Sequence, residues 1–223
     1  MISCNILHSD SLLPLHPDKI TIEISKYWES NKDTIRDIIQ SSNVLDSEGE
    51  VFCECASILL SNFGMKRRGP FHGDSKAKLL DCWQKIGSNL LEINQLVRNS
   101  GLSRDRFLVD IGDSQRDDVI SKVWFMTKEL LPLTMGAYTN GLVGASKILF
   151  SVLPEIVLPV DNNQWSKLFK TVDLGDVIRF MAKDIQNWEA KTNKHLNDLD
   201  ASRRLSTLPS IYNVIAMSAR PLG

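Results

Sequence analysis

Residues 173–191 read DLGDVIRFMAKDIQNWEAK, and this stretch decides the fold. Leu174, Val177, Ile178, Met181, Ile185 and Trp188 recur at three- and four-residue spacing, while Arg179, Lys183, Gln186 and Glu189 fall on the opposite side. That is the period of an amphipathic helix with one face buried. Asp173 offers a side-chain acceptor to the free N–H groups of the first turn, and Asp176 puts negative charge at the positive end of the helix dipole. The spacing predicts a long, packed helix over 174–191.

The same period runs through most of the chain. A second helix is expected from Asp74 or Ser75 to Arg98, with Leu79, Leu80, Trp83, Ile86, Leu90, Ile93 and Val97 as its apolar stripe. Gly87 weakens it by about 1 kcal/mol relative to alanine, and Asn99-Ser100-Gly101 stops it. Further helices are expected near 31–41, 47–63, 116–131, 142–153, 162–171 and 207–218, the last with Ser206 as its cap. KITIEIS at 19–25 alternates as a strand would, with RFLVDI at 106–111 as its one obvious partner. Both are minor beside the helices, so the fold class is all-α: a single compact helical domain over 1–223, or two close lobes. The loop NFGMKRRGPFHGD at 62–74 is where two lobes would divide, because it gathers glycine, proline and three adjacent cations. The other polar connector is 191–209.

Composition bounds what such a domain can do. With 223 residues, 43% of them hydrophobic, the chain can bury a substantial core. Lys plus Arg (26) balances Asp plus Glu (27), so attraction to nucleic acid or membrane has to come from a local patch. The N-terminus lacks a basic segment followed by an apolar core, and no apolar run reaches the roughly eighteen residues of a membrane helix. A cytoplasmic protein with no membrane contact is expected. Cys4, Cys53, Cys55 and Cys82 match neither a redox CxxC nor a zinc knuckle, and His8, His16, His72 and His195 are scattered. Reduced thiols, no structural metal and no cofactor follow. Nucleotide-binding and hydrolase motifs of the GxGxxG, P-loop and GxSxG types are missing from the sequence.

One region carries chemistry. Residues 140–165 read NGLVGASKILFSVLPEIVLPVDNNQW. Asn140 and Gly141 suit a tight turn, Gly144 allows close backbone approach, and the N–H groups of a helix start can hold a phosphate. The apolar run PEIVLPV then delivers Asp161 to the start of another helix, where it can cap that helix or serve as a general base.

This succession resembles the helix-hairpin-helix DNA glycosylase superfamily, with GLVGASKIL at the place of the hairpin and its second helix and LPVDNNQW at the place of the aspartate segment. The resemblance is confined to about 140–165. It implies an all-helical fold, base excision from DNA, and a catalytic role for Asp161. The family's hairpin has one residue between its glycines, whereas Gly141 and Gly144 have two between them. The nucleophilic lysine of bifunctional members falls where this chain has Ser146; Lys147 is one position further, about 100° around a helix. The resemblance therefore implies a monofunctional hydrolase and not a lyase.

A basic triplet, Lys66, Arg67 and Arg68, precedes Phe71 and His72 in the 62–74 loop. Three adjacent cations can neutralise phosphates, and the rings can stack on an unpaired base; solvated loop charge is the ordinary alternative. Arg203 and Arg204 would extend the patch if they lay nearby. Trp28, Trp83, Trp124 and Trp188 read as core, while Trp165, one turn after Asp161, would border a pocket there.

Two functions are expected. One is DNA or RNA engagement through Gly141, Gly144, Lys147, Lys66, Arg67 and Arg68, extending to base excision with Asp161 activating water. The other is a non-catalytic helical module that binds a protein partner as a subunit of a larger nucleic-acid-processing assembly.

Overall fold

The structure is a computed structural model, and it describes residues 6–7, 49–67, 69–136, 141–161, 168–200 and 207–219. Among these residues lie seven α-helices: α1 (Glu50–Asn62), α2 (Ser75–Asn99), α3 (Phe107–Asp110), α4 (Asp113–Thr134), α5 (Leu142–Val152), α6 (Leu174–Thr192) and α7 (Leu208–Ala219). Short 3-10 turns occupy Arg104–Arg106 and Leu196–Leu199. The protein is mainly α, as the periodicity predicts. The expected strand at 19–25, the helix at 31–41 and the cap Ser206 lie outside the described residues, as does most of the helix expected over 162–171.

The expected strand at 106–111 is instead helical. Phe107, Leu108 and Val109 are all buried, and a one-turn helix puts three consecutive side chains into the core where an alternating strand could not. Arg116 holds the turn's far end. Its buried guanidinium donates to the carbonyls of Leu108 (2.7 Å), Val109 (3.1 Å) and Ile111 (2.5 Å), acceptors that a helix terminus leaves without partners. Gln186 of α6 adds a bond to the Val109 carbonyl at 2.6 Å.

Helices α1, α2, α4 and α5 form a closed ring of contacts: α1 packs on α2, α2 on α4, α4 on α5, and α5 back on α1. Helix α6 lies against α4 and α3, and α7 meets the Leu196–Leu199 turn. The 63–74 loop thus joins two helices that pack on each other. The face of α6 read from sequence is buried at all six positions, from Leu174 to Trp188, and Asp173 accepts from the Asp176 N–H at 3.0 Å as its cap. On α2, Asp74 caps through the Ala77 N–H at 3.2 Å. Gly87 is more than a weak point in that helix, since a Cβ there would sit 3.0 Å from the Trp83 indole lying across it.

Helix α5 departs from amphipathic design, as does α7, which is buried at every position from 208 to 217. Of the eleven residues of α5 only Val143 is not buried. Its neighbours α1 and α4 therefore cover it on different sides, and the one charged side chain it carries, Lys147, goes inside with it. The run 151–160 that follows is buried throughout, and the chain becomes partly exposed again at Asp161.

Candidate functional site

The site is built from the start of α5 outward. Gly141 is the cap of α5 with φ 84°, a left-handed conformation that L-residues adopt at a cost. It is also buried, and a Cβ there would lie 2.9 Å from the Leu131 carbonyl oxygen. Thr134, in the last turn of α4, donates its hydroxyl to the Gly141 carbonyl at 2.8 Å, and the same carbonyl accepts from the Ala145 N–H at 2.9 Å. Gly144 continues the close approach, since a Cβ at that position would meet the Thr134 Cβ at 3.0 Å. Both glycines therefore serve the α4–α5 contact. Asn140, the first residue of the quoted motif, lies outside the described residues.

Lys147 lies about one and a half helical turns into α5 and is only 4% exposed. Its ammonium donates to the Val160 carbonyl at 3.4 Å and stands 4.6 Å from the centre of the Phe63 ring. Burial pulls its pKa down to about 8, against the attraction of Asp161, which raises it. A buried ammonium with one long hydrogen bond and one ring contact is poorly compensated for its lost hydration. Lys147 therefore does not reach the surface as the phosphate contact read from sequence. A signal for this stood in the chain: Lys147 is the one charged residue between Gly141 and Pro154, surrounded by apolar and small side chains.

The Phe63 ring comes from the end of α1, and glycine chemistry puts it there. Gly64 has φ 68°. The Met65 N–H bonds to the Leu60 carbonyl at 2.8 Å and the Gly64 N–H to the Ser61 carbonyl at 2.9 Å, the paired bonds of a Schellman turn. This turn reverses the chain so that Phe63 faces Lys147 and Met65 faces Gly144, whose Cβ position lies 3.6 Å from the Met65 Cε. The next residues are the basic ones. Lys66 is half-buried and donates to the Ser57 hydroxyl, while Arg67 is exposed. Arg68 lies outside the described residues. Two segments far apart in sequence, the basic loop and the glycine-led helix, are thus neighbours, a juxtaposition sequence reasoning did not supply.

Phe71 is 1% exposed and belongs to the core, so it is not available to stack on a base; His72 is exposed. Trp165, Arg203 and Arg204 fall outside the described residues. A cleft of about 300 Å³ opens between α1 and the start of α2, lined by Glu50, Cys53, Glu54, Ser57, Ser75 and Lys76. Its Ser57 is the residue that Lys66 engages. Cys53, Cys55 and Cys82 are buried, and burial pushes the Cys82 thiol up to about 12, which leaves it protonated and inert at neutral pH. Among the described residues no His, Cys, Asp and Glu group is placed to hold a metal ion, and no helix is long and apolar enough to cross a membrane.

What defines this chain is thus a mainly helical fold with a helix buried at all but one position and carrying an interior lysine. No protein family, curated protein or solved structure matches it.

Proposed function

We propose that the chain binds nucleic acid where the 63–67 loop meets the start of α5, and that Asp161 is its working carboxylate, acting as general base on water in base excision. The observation that carries the reading is the contact of Phe63 and Met65 with Lys147 and Gly144, which brings the basic loop beside the element that leads to Asp161. Arg67 is exposed for phosphate contact. Asp161 is partly exposed at the end of a run that is otherwise buried from Ser151 to Val160, so its backbone is held by a fixed core. A carboxylate on rigid backbone is the geometry general-base chemistry requires. The resemblance of residues 140–165 to the helix-hairpin-helix glycosylases points the same way.

A second reading, a helical module that docks a protein partner, is favoured by a different observation. Gly141 and Gly144 are both occupied with α4, and Met135, next to that turn, is 52% exposed. A salt titration of binding to a fluorescent DNA strand separates the two. Phosphate contact gives an affinity that falls steeply with salt, and Arg67→Ala lowers the slope of the double-logarithmic plot by about one. Asp161→Asn then abolishes excision and leaves that affinity intact. Undetectable binding at low salt overturns the nucleic-acid reading in favour of the partner module.

A further inference from the structure

Lys147 has no assigned task, although it is the most costly side chain on α5. Nothing in helix packing calls for an ammonium there: the positions around it on α5 are apolar or small, and the side chain is buried. Its geometry gives it a direction. The ammonium sits on the carbonyl of Val160, the residue immediately before Asp161, and the Phe63 ring lies against it. The Val160 peptide plane sets where the chain goes next, so a donor bound to that carbonyl restrains the Cα from which the Asp161 side chain leaves.

We propose that Lys147 is a positioning residue for Asp161: its ammonium binds the Val160 carbonyl and supplies an interior positive charge that keeps the carboxylate aimed. The inference rests on the reading of Asp161 as the working carboxylate. It assigns Lys147 no contact with a substrate and no covalent step. The geometry provides the restraint, and the electrostatics agree with it, since Asp161 is the charge that favours the Lys147 ammonium against burial. The other groups facing the ammonium, the Val160 carbonyl and the Phe63 ring, do not titrate in the working range.

The test uses the full chain with lysine labelled at the ε-carbon, followed by NMR across pH. Lys147 titrates near pH 8 in the wild type, and Asp161→Asn moves the midpoint to lower pH because the favourable charge is gone. An unchanged midpoint overturns the proposal whatever the activity. The second arm reads function. Lys147→Met lowers the single-turnover excision rate by about 10²-fold, the scale of a misplaced reacting group, with the DNA dissociation constant unchanged, and Lys147→Arg recovers part of that loss. Equal losses of rate and affinity, or no recovery with arginine, overturn the positioning role. A wild type that excises no base while its Lys147 midpoint still follows Asp161 overturns the excision reading alone and leaves the coupling standing. If Lys147→Met fails to fold, the titration of Lys147 in Asp161→Asn decides.

Discussion

Tyr212 donates its hydroxyl to Asp184 Oδ2 at 3.0 Å, and the same oxygen accepts from the backbone N–H groups of Ile6 and Leu7 at 3.1 and 3.2 Å. Both side chains are buried, so one carboxylate ties together α6, α7 and residues 6–7. Burial, and then the neighbouring Asp184, push the Tyr212 pKa well above that of a free phenol, which keeps the hydroxyl a donor across the working range. Tyr212→Phe removes one donor from a buried charged acceptor. A loss of about 1.5–3 kcal/mol is expected, measured as a lower urea midpoint with an unchanged slope. A change below about 0.5 kcal/mol would show that the carboxylate is satisfied without the phenol.

Arg106 grips Glu189 with both arms, Nη1 to Oε1 at 3.0 Å and Nη2 to Oε2 at 2.8 Å, while the Leu196 N–H donates to Oε1 at 2.9 Å. Burial works against the carboxylate, but these bonds and the charges of Arg106 and His195 outweigh it and hold its pKa below the ordinary 4.5. For a depressed acid the sign is fixed: the stabilisation is complete above pH 4.5 and disappears as pH falls through the lower folded value. Glu189→Gln is expected to cost about 1–2 kcal/mol at neutral pH. The gap from wild type should close in acid, read from denaturation midpoints at a series of pH values. A gap that stays constant into strong acid would mean packing, not charge, is what glutamine loses.

The helices were legible because their signal is local. Leu174, Val177, Ile178, Met181, Ile185 and Trp188 repeat with the helical period, and every one is buried. The turn at 107–110 was not legible, since Phe107, Leu108 and Val109 become helical through capping by Arg116, a side chain six or more positions away that no local pattern announces. The candidate site was legible in parts. Gly141 and Asp161 stand out as residue types, but the reason for each glycine lies in Thr134 and Leu131 on another helix. The meeting of Phe63 with Lys147 joins residues 84 positions apart and depends on the whole four-helix ring. Contacts between distant segments leave no period in the chain.

Gly141 and Gly144 face the same end of α4 for different reasons, and substitution separates them. At Gly141 alanine meets both a left-handed φ of 84° and the Leu131 carbonyl, so Gly141→Ala is expected to cost about 2 kcal/mol or more. At Gly144 the backbone is helical, and alanine gains about 1 kcal/mol in propensity against a tight contact with the Thr134 Cβ. Gly144→Ala should therefore lie within about 1 kcal/mol of wild type. Equal losses at the two positions in thermal unfolding would show that steric contact alone, and not backbone conformation, makes the turn.

Lys147 ought to make the protein less stable than a methionine would. Burial lowers its pKa from 10.5 to about 8, so the unfolded chain takes up a proton over a range where the folded chain does not. Stability from this group is thus undiminished above pH 10.5, falls as pH drops toward 8, and stays reduced below it, by on the order of 3 kcal/mol. Lys147→Met keeps the volume and removes the charge. It should be more stable than wild type at pH 7, by an amount set by that penalty less whatever the Val160 and Phe63 contacts return. The difference should shrink between pH 8 and 10.5, the window in which the other lysines cancel because both proteins carry them. Chemical denaturation at pH 7, 8, 9 and 10 measures it, and a difference independent of pH would mean that the ammonium is hydrated in the folded chain and titrates there as it does unfolded. A side chain that lowers stability where its apolar isostere raises it is explained by its effect on a neighbour, and the neighbour whose charge it feels is Asp161.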